Sequence, residues 1–399
     1  MKVSISFILL ILISFFSNVW LSQDLLAQEI KGKVPAEKIL KMIEKGEPVE
    51  IDNAIITGEL KLSKINLEVE EINGKEMRVV KSKVTITNST IQEIAIFRYY
   101  IPETDRYSPI LLTQEVSFYL TEFQKRADFS EAQFQKEADF SYAQFQKRAI
   151  FSEAQFQEEP NFRRAQFQEE AFFETAQFQE GANFYEAKFR KLAYFEGAQF
   201  QEGAFFMDAQ FEYLVDFGDT DFPGLFIDWR QIKGRLVWDE TFYAQLIKHY
   251  KESGEFGDAD SAYYEYRVRE RRIEKRWYNP TRGLEYIFLD LSCGYGVKPF
   301  RAVLYGLVLI FLFSCFYYQP KAVKERGKPD SKPRFTDAFY FSVNTFTTVG
   351  YGDWYPTAQF LKIKGRKICR FRTLAMIEGF VGWLIIALFL VTLGKVWIR

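Results

Sequence analysis

Histidine occurs once in 399 residues and cysteine three times, and these two scarcities remove the commonest ways of building a reactive centre. His249 has no second histidine, cysteine or acid placed to form a dyad or metal site with it, so it reads as a surface or satisfied helix residue. Cys293, Cys315 and Cys369 have neither metal-ligand nor disulfide-framework spacing, and reduced thiols in packing roles are expected. An excess of either charge is also lacking, with 52 Lys and Arg against 53 Asp and Glu. That balance conceals segregation: an acidic middle is followed by basic stretches flanking an apolar C-terminal part. Asp, Glu and Lys fall at regular spacings suited to a solvated face, which leaves an enzyme, or a cofactor to serve one, without support.

What the chain has in abundance is phenylalanine, 42 residues of it. Between residues 118 and 222 it recurs in steps that alternate five and six, so the unit is eleven residues, and most of these phenylalanines have Ala two positions earlier. An eleven-residue period can specify a right-handed coiled coil. At 3.6 residues per turn, however, the two Phe and two Ala of one unit would point at roughly 0°, 140°, 300° and 160°, which leaves no apolar seam. In extended chain, residues two apart share a face, so each Ala and its Phe point inward together. Segments that turn a corner about every five residues would close into a square-sectioned solenoid, stabilised by stacking its neighbours.

The run Ala127-Asp128-Phe129-Ser130-Glu131, followed by Ala132-Gln133-Phe134-Gln135, resembles the pentapeptide-repeat family. That resemblance implies a right-handed quadrilateral β-helix. The extra residue in every second repeat, as at Lys136-Glu137, implies about 22 residues per coil and a bulged corner, with coils rising roughly 4.8 Å each. Shorter alternating runs at 55–62 and 84–87 read as strands, and the β-helix is expected to occupy 51–240.

Residues 1–27 carry a lysine, an apolar run and a polar end at Ala27, which reads as a secretory signal peptide or, uncleaved, an N-terminal membrane anchor. A linker with a short amphipathic helix is expected at 28–50. After the β-helix, 241–280 reads as a helical hairpin, with Tyr243, Tyr250, Tyr263, Tyr264 and Tyr266 available to pack the pair. Its second helix ends in Arg267, Arg269, Arg271, Arg272, Lys275 and Arg276, a charge run suited to anionic lipid headgroups. Glu285 and Asp290 make 281–301 an interfacial helix rather than a span, and Gly294-Tyr295-Gly296 within it reads as structural.

Two apolar runs long enough to cross a membrane follow, at 302–318 and 374–393, the second carrying Glu378 as its only charge. Between them lie a short aromatic helix, 335–346, and the sequence Thr347-Thr348-Val349-Gly350-Tyr351-Gly352-Asp353. Consecutive carbonyls can face one side only if alternate residues take unusual dihedrals, which Gly350 and Gly352 permit. Stacked rings of such carbonyls replace the hydration shell of a potassium ion. Thr348 can add a hydroxyl ring, Val349 and Tyr351 turn away from the ion into an aromatic cuff, and Asp353 sits at the mouth.

With Ser342-Val343-Asn344-Thr345 before it and Trp354-Tyr355-Pro356 after, this stretch resembles the two-helix potassium-channel pore domain over 302–399. The resemblance implies a passive ion channel of the cell membrane, multi-pass, with 347–353 as selectivity filter and potassium as permeant ion. Gly379 or Gly382 would be the gating hinge, although glycine in a membrane helix serves equally to let helices pack closely. One loop supplies one strip of carbonyls, so a homotetramer is expected. Apolar segments with an arginine at every third position are lacking, which argues against a voltage sensor.

Membrane topology is in conflict. A filter mouth facing outward needs the residues before the first pore span inside, whereas a cleaved signal peptide puts the β-helix outside. Basic residues load both the loop between the spans and the stretch before them, so charge does not decide. The β-helix is expected to dock an unidentified protein partner or to aid assembly. The alternative is a pentapeptide-repeat interaction protein, merely anchored in the membrane, whose acidic solenoid acts as a scaffold or mimics nucleic acid. Nucleic acid itself is not an expected partner.

Overall fold

The fold follows from how the chain satisfies its backbone in two different ways, mainly by lateral ladders up to about residue 237 and mainly by helices from residue 240 onward. The computed structural model describes residues 32–399 except 73, 102–104, 274–279, 329–331, 351, 364–365 and 398–399. The leader or anchor expected at 1–27 lies outside the described residues. Two compact units divide at Ser253 and Gly254.

In the first unit, short parallel strands, most of them two to four residues long, stack into sheets that the chain visits in turn. Strand Glu122–Phe123 pairs onward with Gln144–Phe145, Ala127–Asp128 with Ala149–Ile150, Gln133–Phe134 with Gln155–Phe156, and Val116–Ser117 with Ala138–Asp139. Every partner is 22 residues on, so one coil holds four strands and two eleven-residue repeats. The interior is the phenylalanine set. Phe123, Phe145, Phe167, Phe189 and Phe211 form one column, with ring centroids 4.8 to 5.0 Å apart. Phe118, Phe140, Phe162, Phe184 and Phe206 form another. Neighbouring columns meet edge to face, as Phe140 meets Phe151 at 82°, the geometry aromatic quadrupoles favour. The alanines between them are buried, and at the ends of the stack Val116 and Val215 take the same ladder positions.

The corners explain the polar letters. The amide of Ala132 donates to the carbonyl of Phe129 at 3.2 Å, closing a turn in which Glu131 has φ of +57°. The equivalent Tyr142, Glu153, Arg164, Thr175, Glu186, Asp208 and Asp219 are also left-handed, and Gly197 alone meets that demand without steric cost. Asp or Asn before the phenylalanine holds the corner from outside: Asp128 Oδ1 accepts from the Ser130 amide at 3.1 Å, and Asn183 Oδ1 from the Tyr185 amide at 3.1 Å. Charged residues repeat with the coil, as in Lys147 with Glu169 at 2.7 Å and Arg148 with Glu170 at 3.2 Å, exposed pairs that contribute little individually.

The ladder begins earlier than the Phe periodicity indicates. Gly32–Pro35 pairs with Ala54–Thr57, and Val49–Asp52 with Val84–Thr87, so residues expected to be a linker are coil. The period is hidden there because two antiparallel hairpins interrupt the coils, Glu68–Ile72 with Lys75–Val80 and Tyr99–Ile101 with Arg106–Ser108. Helix α1, Ala36–Glu44, buries Ala36, Ile39, Leu40 and Ile43. At the other end, helix α2, Glu240–Glu252, sets Phe242 on Phe217 at 5.1 Å, occupying the place of the next ring in that column. Tyr250 donates to the carbonyl of Ile227 at 2.8 Å, and His249 lies against Phe222.

The second unit opens with α3, Phe256–Ile273. Tyr243 and Tyr250 of α2 pack into the solenoid end, and Tyr264 of α3 packs into the second unit. Helical segments Pro280–Glu285 and Tyr286–Leu291 follow, the latter π-helical. Gly294, Tyr295 and Gly296 all have positive φ and turn the chain into α4, Pro299–Tyr317. Tyr295 is buried, and burial pushes its phenol up to about 12, consistent with a packing residue. Helices α5, Phe335–Thr347, and α6, Phe371–Trp397, complete the unit. Two short antiparallel pairs lie between α4 and α6 in the chain, Val323–Glu325 with Trp354–Pro356 and Phe360–Ile363 with Arg366–Arg370.

Candidate functional site

Helices α4 and α6 have 19 and 27 residues, about 28 and 40 Å at 1.5 Å per residue, against an apolar bilayer core of about 30 Å. Both start three residues before the apolar runs because Pro299 opens α4 and Phe371 opens α6 ahead of the uncharged stretches. Short α5 is wedged between them. Its first turn is closed by Asp337, whose Oδ2 accepts from the Arg334 amide at 2.8 Å. Ala338, Phe341, Ser342, Thr345 and Phe346 form its buried side.

Glycines make the wedge fit. A methyl on Gly382 of α6 would lie 2.1 Å from the Phe346 carbonyl oxygen, far inside contact distance, and one on Gly306 of α4 would lie 3.2 Å from the Phe346 ring. Gly379 is less confined, with the Thr345 carbonyl oxygen at 3.4 Å. Close packing is thus a concrete role for Gly382, and the helix runs unbroken through both positions.

A polar tie fastens the same three helices. Glu378 of α6 is fully buried, and its Oε2 accepts from the Tyr317 hydroxyl of α4 at 2.7 Å. The Ser342 hydroxyl of α5 bonds Oε1, and the Ile310 carbonyl of α4 lies 3.0 Å from that hydroxyl. The single charge in the second apolar run therefore faces protein. Its partners stand 36 and 61 residues away, which is why residue spacing shows the charge and not the tie.

The segment 347–353 leaves the C-terminal end of α5 directly. Thr347 Oγ1 still donates back to the Val343 carbonyl at 2.7 Å, and Thr348 breaks the helix with φ of +58°. Gly350 and Gly352 have φ of +120° and +57°, so positive φ recurs at alternate residues 348, 350 and 352. Tyr351 lies outside the described residues. Thr348, Val349, Gly350, Gly352 and Asp353 are exposed, and Val349, expected to point into an aromatic cuff, is 80% exposed on the single chain because its own helices do not reach it.

The far end of the segment is anchored. The Asp353 carbonyl accepts from the Arg326 amide at 2.7 Å, which continues the pairing of Glu325 with Trp354. A Cβ at Gly352 would stand 2.8 Å from the Tyr340 hydroxyl of α5, so a side chain there would have to push that hydroxyl aside and hold a left-handed φ of +57°. Tyr340 and Arg326 are contributors that no spacing in the sequence indicates.

The comparisons with known proteins agree with this division. A family model described as an ion channel matches residues 303–399, and one described as pentapeptide repeats matches 118–166, 140–188 and 173–221. Neither the curated proteins nor the solved structures give a match to the chain. One chain therefore joins a pentapeptide-repeat solenoid to a membrane domain of the ion channel family.

Proposed function

We propose that four copies of this chain surround one pore and conduct potassium passively and selectively, with 347–353 re-entering the membrane as the filter. The observation that carries the proposal is positive φ at alternate residues, Thr348, Gly350 and Gly352, in an exposed segment continuous with α5. Alternation of this kind turns successive carbonyls toward one side, and four such strips would make rings. The C-terminal end of α5 would place a partial negative charge near an entering cation, and Asp353 would ring the mouth. Val349 would find its cover on a neighbouring copy. Of the two hinge candidates, Gly379 and Gly382, the tighter seat of Gly382 favours Gly379.

The solenoid, wound right-handed, serves as a docking or assembly module for an unidentified protein partner, and the chain sits multi-pass in the cell membrane among lipids. It performs no enzymatic step and carries no cofactor beyond the permeant ion. The test is potassium and sodium flux in vesicles holding the native chain, Gly350→Ala or Gly352→Ala, with crosslinking to count subunits. Native flux that favours potassium and is lost in both variants is expected. Equal sodium flux, or a crosslinked ladder that stops at dimer, would sink the proposal.

A further inference from the structure

Beside the first turns of α4, a cleft of about 650 Å³ opens between α3, the π-helical segment and α4. Its wall has two characters. Arg271, Arg272 and Arg301 supply guanidiniums, and Leu304 and Val308 continue along α4 as an apolar strip, 65% and 56% exposed. From Arg301 to Val308 the helix rises about 10 Å, the distance from a headgroup into the upper acyl region.

One carboxylate stands among the three guanidiniums. Asp290, buried, accepts from Arg271 Nη2 at 2.7 Å and from the Tyr264 hydroxyl at 2.9 Å, and Arg301 Nη1 lies 3.8 Å from it. Asp290 thus fixes Arg271 and holds Arg301 at the rim. Arg272 is exposed and has no carboxylate partner among the described residues, so the cleft keeps a net positive charge beside a greasy groove.

We infer that this cleft binds an anionic phospholipid, its phosphate on Arg272 and Arg301 and one acyl chain along Leu304 and Val308. The inference rests on α4 crossing the membrane as proposed above. A soluble phosphate could use the guanidiniums but would leave the apolar strip uncovered. A membrane lipid satisfies both, and the polar rim stands at the end of the span where headgroups lie.

The test is native mass spectrometry of the purified full chain, titrated with dioleoyl phosphatidylglycerol or dioleoyl phosphatidylcholine, with inorganic phosphate as a separate competitor. Phosphatidylglycerol should be retained preferentially. R272Q should weaken its retention about fivefold and R272Q with R301Q about 25-fold, the effect expected of one and two arginines at an anionic surface. The same charge loss elsewhere, K362Q with R366Q, should leave retention unchanged. Native-like retention by R272Q, an equal loss in the K362Q and R366Q control, or displacement by inorganic phosphate would each overturn the site. Arg272 is exposed, so R272Q decides the matter even if the double variant does not fold. Retention is read without ion flux, so a pore that fails to select potassium leaves this result standing, and native-like retention by R272Q leaves the pore untouched.

Discussion

The solenoid and the membrane unit use close packing in opposite ways. In the solenoid one contact, ring upon ring 22 residues on, is made again and again, with centroids about 5 Å apart each time. In the membrane unit each contact occurs once: one carbonyl of Phe346 against Gly382, one carboxylate tying Tyr317 to Ser342. Repetition makes loss uniform and local. Uniqueness makes it specific to a residue and transmissible to the segment 347–353, which hangs from the same short helix.

The sharpest test of uniformity has the largest expected effect. Phe140→Ala, Phe162→Ala and Phe184→Ala each remove one ring sandwiched in the same column, and each should destabilise the solenoid by about 3 to 5 kcal/mol. Chemical unfolding followed by far-UV circular dichroism should return nearly equal losses, with flux retained. Costs that differ widely along the column would break the picture of interchangeable coils.

Next is Gly382→Ala, which should cost about 3 kcal/mol, at the upper end of overpacking effects, because the opposing atom is backbone. Thermal unfolding in detergent and vesicle flux should both fall, whereas Gly379→Ala should leave stability near native. Equal behaviour of the two variants would remove the distinction drawn between these glycines.

Glu378→Ala would remove the carboxylate that accepts from the Tyr317 hydroxyl and bonds Ser342, leaving Ser342 the Ile310 carbonyl, and in a buried site should cost about 2 kcal/mol. If the tie holds α5 in place, ion selectivity should drop along with stability. Lost stability with unchanged selectivity would confine the tie to folding.

The smallest effect concerns Glu159, on a corner of the solenoid. Partial burial raises its pKa above the ordinary 4.5, and Glu180 and Glu202 nearby push it the same way. A carboxyl raised on folding contributes stability that is fully present below the ordinary value and is lost as pH rises through the raised one. Glu159→Gln should therefore stabilise the solenoid at neutral pH, by under about 0.5 kcal/mol, and change little in acid. Denaturation midpoints compared across that range would show it, and an equal gain at every pH would point to some other cause.

Legibility divided along similar lines. Residues 118–222 could be read because the repeat states its period outright, whereas 32–117 obey the same fold without announcing it. There the pairing of Ile55 with Thr90 and of Thr90 with Glu122 spans 35 and 32 residues in place of 22, since hairpins interrupt the coils. In the membrane unit, helices are legible from apolar length, but charged Arg301, Arg372 and Lys395 conceal how far they extend. The hairpin formed by Phe360–Ile363 and Arg366–Arg370 is hidden by its lysines and arginines, with Phe360, Ile363 and Ile368 as its strand signals. The segment 347–353 stands out by its letters. What holds it, Tyr340 beneath Gly352 and the Arg326 amide on Asp353, comes from long-range contacts that no local pattern encodes.

The ring columns also bear on how such a chain can change over generations. Because α2 offers Phe242 to the last coil in the manner of one more ring, the end seal does not depend on how many coils precede it. A tandem duplication of about 66 base pairs, three for each of the 22 residues from Gln133 to its partner Gln155, would add one whole coil, roughly 4.8 Å of length, and return every side to its starting face. A duplication of half that length would add one eleven-residue repeat and move everything downstream to the opposite side. Length can thus vary in whole coils at little structural cost, while half-coil changes would be selected against wherever one face must meet a partner.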